Sequence, residues 1–346
     1  MGTACCTNRS SVRVADVQNI PQHPKENRSI DSNQHELLRR QKSQLFQSEG
    51  ADSTFIEIST PRTGKLIKWK RGDLIGEGAY AKVYQCLNIE TGELFAVKHF
   101  TLSDDIKKIE REFYNMKKEV SLLRDLNHKN IIKYYQTELS EDLNCIDVML
   151  EYIPGGSLKQ ILQKYHHLEE TIIKSYGKQL LEGLGYLHAN GIVHRDLKSA
   201  NVLISTKGVV KLTDFGSSKK FEDLDEQLSK SLKGSPYWMA PEVVRREGHT
   251  FSADIWSFGC LLIEMFNGSP PWSNYSRNAK EVLRMISAPD NFPDIPEQCS
   301  NSLHDLICKC LKRNPLARPT AKEILNHEFF VTDENLHDNS STGLIG

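Results

Sequence analysis

Two polar motifs near the middle of the chain restrict its fold more than any other feature: HRDLKSAN at residues 194–201 and DFG at 214–216. Phosphoryl transfer needs a carboxylate that orients the attacking hydroxyl and accepts its proton, and oxygen ligands that hold magnesium on the phosphates. Asp196 suits the first role, and Asn201 with Asp214 suits the second. The chain must therefore fold so that these two segments meet at one site.

A glycine-containing run, GEGAYA at 76–81, lies between two strand-like segments. A dinucleotide-binding fold needs a helix directly after such a run, whereas the strand-like AKVYQCL follows here. The run therefore indicates a hairpin that covers nucleotide phosphates, since backbone N–H groups approach phosphate closely where side chains are missing. Ala81 stands where runs of this type usually have a third glycine. We expect the protein to remain active despite this change.

The segment AVK at 96–98 places a lysine inside an apolar strand, where an unpaired ammonium group would be costly. Glu119 lies on a helical segment and shares a face with Leu123, so it can turn toward the sheet. A Lys98–Glu119 pair would neutralise both groups and direct the ammonium at nucleotide phosphates. The alternative is a solvated Glu119.

The rest of the chain divides by composition. Residues 1–66 are polar and are predicted to be a disordered arm, with a transient helix at 36–46. Alternating strand patterns begin at Trp69, a long helical pattern includes Ile106, Ile109 and Phe113, and helical spacing dominates after PGGS. Residues 331–346 are predicted to be a disordered tail.

Overall charge and hydropathy exclude several classes of protein. The formal net charge is -1, so the protein has no overall positive electrostatic field that would attract nucleic acid. No nucleic-acid partner is therefore expected. The most apolar stretch, 258–266, is too short to span a bilayer, and the N-terminus lacks a secretory signal pattern. A cytoplasmic location is therefore expected.

His304, Cys308 and Cys310 could suggest a metal site, but Cys310 belongs to an apolar helical stripe.

Taken together, these motifs resemble those of the protein kinase family over residues 69–330. The resemblance implies an α+β bilobal fold: a small antiparallel β-sheet lobe with one regulatory helix at about 69–150, and a larger, mainly helical lobe at about 157–330. It also implies ATP and magnesium as cofactors. A catalytically silent, kinase-like scaffold is the competing class, but the five residues whose loss marks that class are present: Lys98, Glu119, Asp196, Asn201 and Asp214.

The resemblance also assigns roles to individual residues. Catalysis would rest on Asp196, Lys198, Asn201 and Lys98. The backbone of the hinge residues Glu151 and Ile153 would bind adenine, behind a gatekeeper at Leu150. The remaining ATP contacts would be Ile75, Gly76, Glu77, Gly78, Ala79, Tyr80, Ala81, Lys82, Val83, Ala96, Lys98, Leu203 and Asp214. Structural support would come from His194, Arg195, Phe215, Asp254 and a Glu242–Arg318 pair.

The subfamily follows from longer stretches. Lys198, two residues after Asp196, resembles serine/threonine kinases rather than tyrosine kinases. WKRGDLIGEGAYAKVY, SLKGSPYWMAPEVV and GHTFSADIWSFGC resemble mitogen-activated protein (MAP) kinase kinase kinases, most of all the plant ANP/NPK group. This implies a MAP kinase kinase as substrate, with Ste20-like kinases, one tier above, as the alternative. Leu232, Pro236 and Met239 predict an apolar pocket after the phosphoacceptor.

Regulation is predicted from Arg195, a cation beside the catalytic aspartate that requires an anionic partner. Phosphorylation of the activation segment, by an upstream kinase or by autophosphorylation, would supply about two negative charges. Ser231 matches the family's phosphorylation site, and Ser229 is the second candidate. The alternative is an unmodified serine in a mobile loop.

The first residues, MGTACC, contain Gly2 and two adjacent cysteines, Cys5 and Cys6. A reducing compartment disfavours a disulfide, and no second ligand pair lies nearby for a metal. Myristoylation of Gly2 and palmitoylation of Cys5 or Cys6 would together tether the protein to a membrane, although Cys6 stands where the consensus has Ser or Thr. The alternative is an unmodified N-terminus.

Overall fold

The computed structural model describes residues 67–78, 81–102, 105, 116, 119–139, 145–220 and 235–331, with only the backbone described at 219–220. The predicted N-terminal arm, its 36–46 helix and the tail after Val331 lie outside the described residues. So do Gly2, Cys5, Cys6, Ala79, Tyr80, Ile106, Ile109, Phe113, Ser229, Ser231 and Leu232.

An antiparallel sheet of five strands forms the N-terminal lobe, in the order β1-β2-β3-β5-β4. The two strand-like segments that flank GEGAYA in the sequence are the first two strands, which pair antiparallel. The strands are β1 Trp69–Glu77, β2 Lys82–Asn88, β3 Leu94–Thr101, β4 Tyr134–Leu139 and β5 Cys145–Glu151.

Alternation along β3 separates the two faces of this sheet. Phe95 and Val97 are buried on the outer face with Cys86 and Met149, and Trp69 packs against them. Ala96 belongs to the main core on the other face. Lys98, two residues further along β3, shares this inner face and therefore points toward the cleft.

A helical segment at residues 119–124 covers the inner face of the sheet. Val120 and Leu123 are buried in the main core with Ile146 of β5, and Met116 joins them. This packing holds Glu119 over the inner face, where β3 carries Lys98.

The C-terminal lobe is mainly helical. Its helices are α1 Leu158–Tyr165, α2 Glu170–Ala189, α3 Pro241–Val244, α4 Phe251–Asn267, α5 Ala279–Ser287, α6 Asn301–Cys310 and α7 Ala321–Ile324. A capping box starts α1, since Ser157 and Gln160 each accept a hydrogen bond from the other's backbone N–H.

Helix α4 lies at the centre of this lobe and is buried continuously from Ala253 to Met265. Gly259 lets α6 approach closely, because a Cβ atom there would lie 2.8 Å from Cys310 Cβ. No helix among the described residues combines the length and apolarity needed to span a bilayer.

Four short strands carry the two polar motifs on the surface that faces the N-terminal lobe. β6 Ile192–Val193 pairs with β9 Lys219–Lys220, and β7 Val202–Ile204 pairs with β8 Val210–Leu212. The HRDLKSAN segment connects β6 to β7, and DFG follows β8. The two hairpins therefore bring the motifs side by side at the cleft.

Candidate active site

A cavity of about 1300 Å³ separates the sheet from the helical lobe. Glu151 and Ile153 line the connection between the lobes, and Leu203 lies on the floor. The other predicted nucleotide contacts that line the cavity are Ile75, Gly76, Glu77, Gly78, Ala81, Val83, Ala96, Lys98 and Asp214. The cavity therefore gathers most of the residues predicted to contact the nucleotide.

Lys82 is the exception among the described residues predicted to contact the nucleotide. It does not line the cavity, and its side chain is half exposed with its ammonium 3.5 Å from the Glu77 carboxylate. Only the backbone of Lys82 remains available for a contact with phosphate.

Lys98 has two carboxylate partners. Its Nζ lies 2.5 Å from Glu119 Oε1 and 3.2 Å from Asp214 Oδ1. Burial lowers the pKa of Lys98, but attraction to Glu119 and Asp214 outweighs it and leaves the pKa above its ordinary value. The ammonium is therefore charged and held in the cleft.

Asp214 stands in the left-handed backbone region, with φ 62° and ψ 73°. Lys98 is the main reason that the pKa of Asp214 lies below its usual range, although burial opposes the shift. The neighbouring Phe215 is fully buried, and its ring centroid lies 5.4 Å from that of His194. The buried ring anchors the strained aspartate while its ionised carboxylate reaches the cavity.

A compact polar cluster surrounds Asp196. Its carboxylate lies 2.6 Å from Lys198 Nζ and accepts hydrogen bonds from Ser235 Oγ at 3.0 Å and Asn201 Nδ2 at 3.1 Å. Lys198 Nζ also donates to Ser235 Oγ at 2.7 Å. These contacts orient the carboxylate beside the floor of the cavity.

Asp254 holds the backbone of the HRDLKSAN segment from below. Its carboxylate accepts hydrogen bonds from the backbone N–H groups of His194 at 2.8 Å and Arg195 at 2.9 Å. Burial alone would raise the pKa of Asp254, but hydrogen bonds and the charge of His188 keep the pKa below its usual range. Arg195 has φ 71°, a left-handed conformation that this buried carboxylate helps to maintain.

Glu242 and Arg318 form a bidentate ion pair, with N–O distances of 2.6 and 2.8 Å. Both residues are buried, and Arg318 also donates to the carbonyl oxygens of Lys312 and Ser252. The pair joins α3 to the segment before α7 and does not touch the cavity.

Sequence reasoning missed a further buried carboxylate, Glu264 of α4. It accepts hydrogen bonds from Ser199 Oγ at 2.5 Å and Trp238 Nε1 at 2.9 Å. Burial raises the pKa of Glu264 to about 7. Ser199 lies inside HRDLKSAN, and Trp238 follows Ser235 by three residues, so Glu264 supports both sides of the Asp196 cluster. The only sequence signal was an acidic residue inside the apolar run 258–266.

Sequence reasoning also missed Lys211 of β8, whose Nζ lies 2.8 Å from Glu151 Oε2. The same carboxylate oxygen accepts a hydrogen bond from the backbone N–H of Lys133 at 3.2 Å. Glu151, which lines the cavity, is thus fixed from both lobes.

The arrangement combines the groups that phosphoryl transfer needs. Lys98 supplies a fixed positive charge, Asp196 an oriented carboxylate, and Asn201 and Asp214 hard oxygen donors that line one cavity. Carboxylate and amide oxygens are suitable ligands for a divalent cation such as magnesium. The site can therefore hold a nucleoside triphosphate with its metal ion and activate a hydroxyl group.

Comparison with known proteins agrees with this geometry. The protein kinase domain family model matches residues 69–330. Mitogen-activated protein kinase kinase kinase A of Dictyostelium discoideum is 46% identical over 275 residues, which cover 79% of this chain and 28% of the relative.

Two further relatives carry similar names. The mitogen-activated protein kinase kinase kinases ANP1 of Arabidopsis thaliana and 3 of Homo sapiens are 42% and 38% identical, over 77% and 79% of this chain. The matches cover 40% and 43% of these relatives. The chain thus spans less than half the length of the relatives it matches.

Proposed function

The chain belongs to the protein kinase family, and on that premise we propose that it transfers the γ-phosphate of ATP to serine or threonine residues of a MAP kinase kinase. The predicted family and the α+β bilobal fold are confirmed. A kinase domain uses ATP, typically with a divalent metal ion. The magnesium ion, the substrate and the position in a cascade belong to the proposal.

One observation carries the catalytic part of the proposal. The Lys98–Glu119 pair and the Asp196–Lys198–Ser235–Asn201 cluster are both formed in the same structure, and the pair lines the cavity that the cluster reaches through Asn201. A kinase needs its lysine–glutamate pair and the DFG aspartate in place at the same time, and Lys98 contacts both Glu119 and Asp214 here. The groups that would position the nucleotide and the carboxylate that would accept the proton are therefore in place together.

The residues divide the chemistry as follows. Lys98 holds the phosphates of ATP, and Asn201 and Asp214 would hold magnesium, whose charge would neutralise that of the phosphates. Asp196 orients the substrate hydroxyl and accepts its proton, and Lys198 stabilises negative charge on the transferred group. Ser235 keeps the Asp196 and Lys198 side chains together.

The proposed substrate class rests on the named relatives and on the residues beside the acceptor site. Pro236 and Met239, half-buried and buried, leave an apolar surface after Ser235. Kinases of similar motif that prefer an upstream arginine carry a glutamate at the position of Ser157, whereas Ser157 caps α1 and offers no carboxylate. A peptide without an upstream arginine and with an apolar residue after the acceptor fits this surface.

The test is magnesium-dependent transfer of labelled phosphate from ATP to a MAP kinase kinase whose own catalytic lysine has been replaced. We expect labelling of its activation loop by the wild type and none by Asp196→Asn. A MAP kinase kinase kinase is offered in parallel as substrate. Preferential labelling of that protein would place the chain one tier higher, and no transfer to any substrate, including a generic protein, would indicate a scaffold.

We also propose that the protein is cytoplasmic and tethered to a membrane through acylation of Gly2 and of Cys5 or Cys6. The support is the sequence MGTACC alone. Fractionation of cells that express the wild type or Gly2→Ala tests the tether. The proposal requires a lower membrane-bound fraction for the variant, and an unchanged fraction would refute it.

A further inference from the structure

Three side chains with different donor atoms meet on the outer face of the N-terminal sheet: His99, Cys145 and Asp147. His99 of β3 is directly opposite Asp147 of β5. Cys145 precedes Asp147 by two residues, so it projects from the same face and lies diagonally across from His99. Two adjacent, hydrogen-bonded strands therefore hold an imidazole, a thiol and a carboxylate together.

The spacing of the donor atoms suits a small metal ion. One ligand atom from each side chain lies within 4.8 Å of the other two. His99 Nδ1 and Asp147 Oδ1 are 2.6 Å apart. A tetrahedral zinc ion with bonds of 2.0–2.3 Å needs ligand atoms about 3–4 Å apart. Small rotations of side chains on a rigid sheet would give that spacing.

No other group of three or more His, Cys, Asp or Glu residues meets this spacing in the part of the chain that the structure describes. The His304 and Cys308 side chains, 3.7 Å apart on α6, form only a pair. The predicted third member of that cluster, Cys310, is fully buried in the core. The metal-binding potential of the described residues thus lies on the sheet.

We propose that His99, Cys145 and Asp147 form a binding site for a d-block divalent cation, with Zn²⁺ as the best match. Nitrogen, thiolate sulfur and a carboxylate oxygen are the three donor types that zinc uses in proteins. With three protein ligands, water fills the fourth position. The His99 and Asp147 side chains are each 14% exposed and Cys145 is partly exposed, so solvent reaches the site.

Among the charged side chains around the site, some favour metal binding and one opposes it. Glu138 of β4 is opposite Asp147, and its pKa is raised mainly by burial and further by the negative charge of Asp147. A dication would relieve this concentration of negative charge. Arg71 opposes binding, since its Nη2 lies 3.3 Å from His99 Nδ1 and its guanidinium stacks over Tyr84. Arg71 must swing away when metal binds.

The site has a structural consequence for the kinase. His99 directly follows Lys98, whose side chain points to the opposite face and pairs with Glu119. A metal ion that joins β3 to β5 at His99 would pin the strand that carries Lys98. The site is therefore tested by metal binding and by thermal stability, because neither measurement depends on kinase activity.

Co²⁺ replaces Zn²⁺ as a spectroscopic probe. The full chain is used with Cys5→Ser and Cys6→Ser, so that the N-terminal thiols do not contribute. We expect a thiolate-to-cobalt charge-transfer band and the visible bands of a tetrahedral ion, saturating at one equivalent and bleached by Zn²⁺. A Co²⁺ ion held by oxygen ligands at Asp214 would give no thiolate band.

The variants decide the assignment. Cys145→Ser should abolish the thiolate band, His99→Gln and Asp147→Asn should weaken binding at least tenfold, and the matched control Cys308→Ser should leave it unchanged. Arg71→Gln should tighten binding several-fold. Zn²⁺ should raise the melting temperature of the Cys5→Ser, Cys6→Ser chain and not that of the same chain with Cys145→Ser, whose metal-free melting curve shows that it folds.

Two results would overturn the proposal. A titration of the Cys5→Ser, Cys6→Ser chain without a thiolate band would leave the cluster as a hydrogen-bonded His99–Asp147 pair beside a thiol. A band that persists in Cys145→Ser and disappears in Cys308→Ser would move the metal to α6.

Discussion

An ion pair between Lys211 Nζ and Glu151 Oε2, 2.8 Å apart, connects β8 of the helical lobe to the last residue of β5 in the sheet. Both side chains are mostly buried, at 13% and 26% exposure. Glu151 lines the cavity, and its side chain also accepts a hydrogen bond from the backbone N–H of Lys133. The pair therefore limits movement at the connection between the lobes.

Lys211→Met should raise the KM for ATP several-fold with little change in kcat, because Glu151, whose backbone is predicted to bind adenine, loses its support while the Asp196 cluster is untouched. A hydrogen bond to a charged group contributes about 1.5–3 kcal/mol, so the free energy of unfolding should fall by about that amount. Steady-state kinetics and urea unfolding measure the two effects.

The exposed Lys309–Asp305 pair on α6 is the control for Lys211→Met. Its side chains are 47% and 48% exposed, and Lys309→Met should cost about 1 kcal/mol at most and leave the KM unchanged. An equal KM for Lys211→Met and wild type would show that the pair does not position the nucleotide site.

Glu264 should make stability depend on pH. Burial raises its pKa from 4.5 to about 7, so the folded protein holds a proton that the unfolded chain releases between these values. The stabilising contribution is thus present below pH 4.5 and is lost as the pH rises through 7. At 1.36 kcal/mol per pKa unit, the loss is on the order of 3 kcal/mol.

Glu264→Gln removes this titration, and its free energy of unfolding should lose less than that of the wild type between pH 5 and pH 8. Urea unfolding of both proteins at several pH values gives the difference. Parallel pH profiles for wild type and variant would contradict a raised pKa at Glu264.

Arg318→Met should destabilise the protein by about 3–5 kcal/mol, because it leaves the buried Glu242 carboxylate without its partner. The neighbouring Arg245–Glu247 pair is exposed, so Arg245→Met should cost about 1 kcal/mol or less. Thermal and urea unfolding compare the two variants. Equal losses would mean that burial of the Glu242–Arg318 pair has no energetic effect.

Ser235→Ala should lower kcat by about 10–100-fold with little change in the KM for ATP. The hydroxyl accepts from Lys198 and donates to Asp196, so its loss frees both side chains at the reacting group. Ser235→Thr keeps the hydroxyl and should retain most activity. A fully active Ser235→Ala would show that the cluster holds its geometry without this residue.

Ser231→Ala should leave activity well below that of the wild type after both have been preincubated with ATP, since phosphate on the activation segment would pair with Arg195. Ser229→Ala is the comparison. Rates equal to wild type for Ser231→Ala, together with a loss in Ser229→Ala, would assign the site to Ser229.

Sequence alone determined the family, the bilobal organisation and the identities of Lys98, Asp196, Asn201 and Asp214. These residues belong to short motifs whose residue types and spacing are set by the chemistry of phosphoryl transfer. Each residue can therefore be recognised from the short segment that contains it. The Glu242–Arg318 pair was also predictable, but only through the resemblance, because 76 positions separate its members.

Only the tertiary structure decided which side chains outside the motifs act together. It turned Lys82 away from the cavity, paired Lys211 with Glu151 across 60 positions, and buried Glu264 against Ser199 and Trp238. It also placed His99, Cys145 and Asp147 on one face of the sheet. The physical reason is that burial, strand register and the pKa of a carboxylate depend on neighbours brought together by packing, which local spacing along the chain does not encode.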